Sequence, residues 1–149
     1  MFTRICVCLG TLLFATACGE SLPADIEGYD SKATCVRINK DPIPPYEGDP
    51  HKGIKNVFVC NVELPAVKAN MRPFPDGTII VKESRREGEA FTWLVATARK
   101  EMGKWRWDEY TRNFDNEGHQ RLLLKQSKCT GCHDKAALQD NIYTNYDID

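Results

Sequence analysis

Five residues near the C-terminus, Cys129-Thr130-Gly131-Cys132-His133, carry the most specific chemistry in the chain. Two thiols separated by two residues, with an imidazole directly after the second, form the attachment signature for haem c. Each thiolate adds to a porphyrin vinyl group, and the histidine becomes an iron ligand. On a helix, positions i, i+3 and i+4 share a face, so Cys129, Cys132 and His133 would address one edge of one macrocycle. A redox Cys-x-x-Cys, half of a zinc site and an ordinary disulfide are the alternatives. A zinc site needs a second pair of ligands, and the other histidines, His51 and His119, stand alone in the sequence. The expectation is one covalent haem c per chain, with His133 as its metal ligand.

The surroundings of this motif bear on the second axial position. Small helical cytochromes carry the motif near their start and supply a methionine sulfur from downstream. Here sixteen residues follow His133 and none is methionine, while Met71 and Met102 lie upstream. An open iron position is therefore expected, which favours small-molecule chemistry over pure electron transfer.

Residues 1–17 read as an export signal. Arg4 supplies the positive start, Ile5 to Ala15 the apolar run, and Ala15-Thr16-Ala17 the small residues before Cys18. The run is too short to cross a bilayer as a helix. Small residues leading into Cys18-Gly19 resemble a bacterial lipobox, in which the cysteine is lipidated, whereas the same Ala-x-Ala triplet also suits ordinary signal peptidase and a soluble periplasmic product. The expected location is the periplasm, with a lipid on Cys18. Residues 18–30, polar and acidic with glycine and proline, then serve as a tether, and residues 31–149 form one domain.

Seven cysteines are thereby assigned: Cys6 and Cys8 to the signal, Cys18 to the lipid, Cys129 and Cys132 to haem, leaving Cys35 and Cys60. In an oxidising compartment that last pair is expected to form a disulfide. Two buried free thiols are the alternative. The formal net charge of −1, with signs mixed along the chain, points to neither nucleic acid nor an anionic membrane.

The scaffold follows from periodicity. Residues 41–53, with four prolines and two glycines, predict an irregular loop. Ile54 to Cys60 is apolar and β-branched, a strand. Leu64, Val67, Lys68 and Met71 fall at helical spacing, with Pro65 tolerable in a first turn. Asp76-Gly77 marks a turn, and Thr78 to Glu83 a strand whose alternation places Ile80 and Lys82 on one face, Ile79, Val81 and Glu83 on the other. Phe91 to Ala98 and Lys104 to Tyr110 give two more strands, and Lys135 to Gln139 continues a helix begun by the cysteine motif. Aromatics at strand spacing, Phe58, Phe74, Phe91, Trp93 and Trp105, are candidates to line the cofactor, and Arg72 or Lys55 to pair with a propionate. The predicted fold is α+β: a mostly antiparallel sheet, short flanking helices and a C-terminal haem-binding helix.

The run Phe74-Pro75-Asp76-Gly77-Thr78-Ile79-Ile80-Val81-Lys82-Glu83, an aromatic strand around Trp105 and Trp107, and a late Cys-x-x-Cys-His together resemble the cytochrome P460 family, which includes the cytochromes c′-beta. The similarity spans roughly Ile54 to Tyr146. It implies a β-rich fold, often a homodimer, with one five-coordinate haem c on His133. It also implies hydroxylamine or nitric oxide as the small nitrogen compound and an external cytochrome as electron acceptor. In members that oxidise hydroxylamine, the lysine matching Lys82 is bonded to the porphyrin rim, which would make Lys82 both a cofactor-binding and a catalytic residue. Those members also carry a carboxylate on the strand that matches Leu94 to Ala98. At the best-matching position this chain has Val95, so the resemblance leaves the distal acid or base unassigned and keeps a non-catalytic nitric oxide binder and a simple electron carrier as alternatives.

Overall fold

A computed structural model describes residues 21–144. The expected export signal and the expected lipid site at Cys18 lie outside the described residues. Within them, six strands form one antiparallel meander in chain order: β1 (Cys35–Arg37), β2 (Ile54–Cys60), β3 (Ile79–Arg85), β4 (Leu94–Glu101), β5 (Lys104–Thr111) and β6 (Gln120–Arg121). A short helix α1 (Leu64–Lys68) joins β2 to β3. Helix α2 (Gln126–His133) follows β6 and runs into a 3₁₀ segment, Asp134–Gln139. The architecture is the mostly antiparallel sheet with few short helices that the periodicity predicts. Among the described residues no helix is long and apolar enough to cross a membrane.

Strand β2 occupies the predicted span, because its β-branched run has a turn-rich loop before it and an Asn61 with positive φ after it. Strand β4 lies three residues later than predicted. The chain reverses at Met102-Gly103, both with positive φ, as a tight two-residue hairpin demands. Glu101 then pairs with Lys104, and the ladder extends to that turn. Phe91 and Trp93 consequently precede the strand, where they stack under Arg112 and Arg86 instead of sharing its face. Helix α1 is shorter than the spacing suggested, ending before Asn70 in a left-handed conformation. The Cys-x-x-Cys-His motif ends α2 rather than beginning it, and the continuation is 3₁₀ rather than α.

Strand alternation divides the core into two layers. On one face Phe58, Cys60, Ile79, Val81, Val95 and Tyr110 pack against Leu22, Ile26 and Tyr29. For residues 22–29 the tether reading is corrected here, since those three side chains are buried, Ile26 completely. Their i, i+4, i+7 spacing is that of one helical face, a signal that the glycine and acidic content of the segment obscured. On the other face Val57, Val59, Ile80, Ala98 and Trp107 meet Ile38, Val67, Phe74 and Ile142.

Two links, one long-range and one within a loop, hold the N-terminal half. Cys35 and Cys60, cross-strand partners, are joined by a disulfide. In the proline-rich loop, the buried ammonium of Lys55 donates to the carboxylate of Asp49 and to the carbonyls of Pro44 and Gly53. Asp49 also accepts from the backbone N–H of His51 at 3.0 Å. A loop with four prolines has few amides with which to hold itself, so this buried ion pair supplies the missing fixation.

Two predictions follow from these links. Replacing Cys35 and Cys60 together by serine should lower the unfolding free energy by about 3 kcal/mol, the chain-entropy value for a loop of this size, as read from urea denaturation under non-reducing conditions. Asp49→Asn, which leaves Lys55 charged and unpaired at 2% exposure, should cost about 3–5 kcal/mol. The double change Asp49→Leu with Lys55→Met should recover most of that loss.

Candidate functional site

Helix α2 reaches the sheet with none of its eight side chains buried, so apolar packing does not hold it. Polar clamps do. The Gln126 side chain accepts from the Trp107 N–H at 2.9 Å and donates to the Trp107 carbonyl at 2.7 Å, so it pairs with β5 as another strand would. Beyond the 3₁₀ segment, Asp140 accepts from Lys100 at 2.6 Å and from the Phe74 N–H at 2.9 Å. Its own carbonyl accepts from the Trp105 indole at 2.8 Å. The motif helix is thus pinned at its start and just past its end.

Between α2 and the sheet lies a cavity of about 310 Å³, walled by Val57, Ile80, Ala96, Ala98, Trp107 and Ile142, and reached by Cys129, Cys132 and His133. Ala96 and Ala98 project little, which leaves a flat floor. Both cysteines are free thiols. The His133 Nδ1–H donates to the Asn141 carbonyl at 2.7 Å, leaving Nε2 as the available electron pair. This is the second-shell pattern of a metal-bound histidine. Burial, countered by that hydrogen bond, lowers the His133 pKa and favours the neutral imidazole that a metal requires. The ring stacks on Trp107 at 4.0 Å, whose own buried indole N–H lacks a partner and is a donor available to a bound group. Two thiols, a preset imidazole, a flat apolar floor and an orphan donor fit a haem. Among the described residues no group of three or more His, Cys, Asp or Glu side chains converges to hold a metal ion by itself, so the zinc alternative lacks its second ligand pair.

Lys82 lines the same cavity. It shares a face with Ile80, as strand alternation predicts, and its pKa is lowered chiefly by burial, with Lys55 adding to the effect and Asp49 opposing it. Its Nζ lies 3.2 Å from His51 Nδ1, and His51 Nε2 lies 3.2 Å from Glu109 Oε1. The three form a chain in which Lys82 donates to the imidazole and the imidazole donates to the carboxylate. The His51 and Glu109 side chains, which line the cavity, are 12% and 19% exposed.

Several expectations are corrected by this geometry. Val95 packs in the opposite core layer, fully buried, and faces away from the cavity. The residues of β4 whose side chains do wall the cavity are Ala96 and Ala98, and the cross-strand partner of Ala96 is Glu109. A carboxylate is therefore present on the neighbouring strand. His51 does not stand alone but lies over the site, with its ring centroid 6.4 Å from that of His133. No sequence spacing connects His51, Lys82 and Glu109. Only the alternation of β3 and β5 hinted that Lys82 and Glu109 face one way. Among the aromatic candidates, Phe58 lies in the other layer, and Phe74 and Trp105 pack edge-to-face beside the cavity. Trp107 is the tryptophan that lines it. Lys55 is committed to Asp49, and Arg72 lies over Phe74. His119 is half-buried, with a pKa lowered by burial and by Arg112.

No curated protein matches the chain. The family model described as Cytochrome P460 matches residues 28–144, from just before β1 to just past Asp140. The match takes in the whole sheet, the His51 loop and the cysteine-bearing helix, and the chain therefore belongs to the cytochrome P460 family, whose members carry haem.

Proposed function

We propose that this chain is an exported mono-haem c cytochrome, bound through thioethers at Cys129 and Cys132, which oxidises hydroxylamine and passes the electrons to an external cytochrome. The observation that carries this reading is the Lys82–His51–Glu109 chain at the wall of the cavity that His133 enters. Haem, when bound, would be held by Cys129, Cys132 and His133 and would supply a redox-active iron for a small nitrogen compound.

The protein's own residues supply the rest. Oxidising hydroxylamine removes protons together with electrons, so a nearby base is required. A proton taken up at Lys82 Nζ and passed to His51 Nδ1 is matched by passage of the Nε2 proton to Glu109 Oε1, so the imidazole relays it without accumulating charge. The Asp49 carboxylate, held by Lys55, fixes the backbone of His51 and hence the aim of the ring. Lys82, kept toward its neutral form by burial, would hold an amine lone pair for the porphyrin rim, a bond that would replace a rim C–H and release two electrons and two protons to an external oxidant such as peroxide. The apolar wall excludes water from the small nitrogen compound.

The same apolar wall supports the second reading, a non-catalytic nitric oxide binder of the c′-beta kind. A low-spin spectrum indifferent to added ligands would instead indicate an electron carrier.

The readings separate by measurement. Peptide mapping of the haem peptide should find residues around Lys82 attached to it, and a haem held by two thioethers only would remove the cross-link. In steady state with an artificial electron acceptor, His51→Ala and Glu109→Gln should each lower hydroxylamine turnover by about 10²–10⁴-fold, the usual worth of a positioned base, while the visible spectrum is kept. Val95→Glu should not raise turnover. It places a charge in the opposite core layer and should destabilise the fold by several kcal/mol, on the order of the cost of an unpaired buried ion.

A further inference from the structure

We propose that a polar chamber beneath the proline-rich loop is the entry site through which a small uncharged nitrogen compound of the hydroxylamine kind reaches the haem cavity, and that its charge turns anionic nitrite away. This rests on the reading of an open iron position. The loop over residues 41–53 is fastened to β2 at two places. Ile43 and Lys55 exchange backbone hydrogen bonds at 2.8 and 2.9 Å, and the Lys55 ammonium holds the carbonyls of Pro44 and Gly53 together with the Asp49 carboxylate. Between these fastenings Pro44, Pro45 and Glu47 are exposed, so the loop arches over the sheet without filling the space beneath it. That space is a chamber of about 360 Å³. A water molecule takes roughly 30 Å³ in the liquid, so there is room for several molecules of hydroxylamine size.

Tyr46, Lys82, Tyr143 and Thr144 line both this chamber and the haem cavity. The two spaces therefore adjoin, and Lys82 at their junction is the first group of the Lys82–His51–Glu109 chain. A molecule passing through is delivered to the group that takes its proton. The junction is built from held side chains: the Tyr143 hydroxyl donates to the Cys132 carbonyl at 2.7 Å, and the Tyr46 ring lies 5.3 Å from the Lys55 ammonium. Where the haem cavity is apolar, the chamber is polar, with Asn39, Asp41, Asp49 and Lys55 in its wall. Its charge can be counted. Asp49 and Lys55 cancel as a buried pair, Lys82 is kept toward its neutral form by burial, and the exposed Asp41 leaves one negative charge. An uncharged molecule with N–H and O–H groups exchanges water for protein partners there. Nitrite meets the field of Asp41, and a haem propionate is disfavoured for the same reason, which leaves the chamber to the small molecule.

The test follows carbon monoxide, as probe, on the reduced holoprotein, with flash photolysis for association and displacement by nitric oxide for dissociation. A side chain on the path alters a barrier crossed in both directions, so both rates move by one factor and the affinity stays. Thr144→Trp, at a residue whose carbonyl Arg72 holds, plugs the junction and should slow both rates about tenfold or more, while Tyr46→Ala, at an exposed residue, should speed both. Leu124→Trp, in the wall of the haem cavity just before α2, should leave both within about twofold. At low salt Asp41→Asn should raise the association rate of nitrite with the oxidised holoprotein about two- to threefold and leave carbon monoxide unchanged. Slowing by Leu124→Trp in place of Thr144→Trp would overturn the entry site, as would an affinity that changes at constant association rate, since the altered residues would then touch the bound ligand instead of its path. A nitrite rate indifferent to Asp41→Asn would refute the charge selection. A reduced holoprotein that takes up no carbon monoxide would refute the open iron position and the entry site with it, whereas carbon monoxide bound at rates untouched by Thr144→Trp and Tyr46→Ala would refute the entry site alone.

Discussion

The site depends on how an unburied helix is held to a sheet. A helix that presents an apolar stripe docks through the hydrophobic effect, which is strong but non-directional. Helix α2 presents none, and its placement comes from directional bonds: the Gln126 amide on the Trp107 backbone, and Asp140 on Lys100, Phe74 and Trp105. Directional bonds fix position and rotation together. That matters here, because Cys129, Cys132 and His133 must face one cavity, and the Asn141 carbonyl that orients His133 directly follows the Asp140 anchor.

The sheet in turn separates two tasks. One layer, closed by Leu22, Ile26 and Tyr29 and stapled by Cys35–Cys60, is a conventional apolar core. The other supplies the floor of the cavity, and at its edge the strands exchange apolar for ionisable side chains, Lys82 after Ile80 and Glu109 after Trp107. Each of these substitutions keeps strand register, so the polar groups arrive on the cavity side without disturbing the ladder. The proline-rich loop then lays His51 between them. A charged pair at the same depth, Lys55 and Asp49, serves only to hold that loop. Such a pair is costly to desolvate and tolerated because every donor of the ammonium is satisfied.

Membership of the cytochrome P460 family places a haem in this fold, and the residues around the cavity accord with it. The position of Glu109 alters how the chemistry is read. A carboxylate sought on β4 is missing because the matched residue, Val95, points into the opposite layer. One strand over, Glu109 reaches the cavity opposite Ala96, with His51 interposed toward Lys82.

What the sequence determined by itself was local. The spacing of Cys129, Cys132 and His133 is a helical-face pattern, the alternation around Ile80 and Lys82 is a strand pattern, and both are decided by backbone geometry within a few residues. The fold class and the family were legible for the same reason. The start of β4 was misplaced because Phe91 and Trp93 carry strand propensity, whereas the ladder is set by the Met102-Gly103 reversal. The segment around Ile26 was read as a linker because its burial depends on a surface made by distant strands. His51 and Glu109 are 58 residues apart, and His51 and Lys82 are 31. Their convergence rests on sheet register and on a loop fixed by a buried ion pair, interactions that only the closed tertiary structure brings into range.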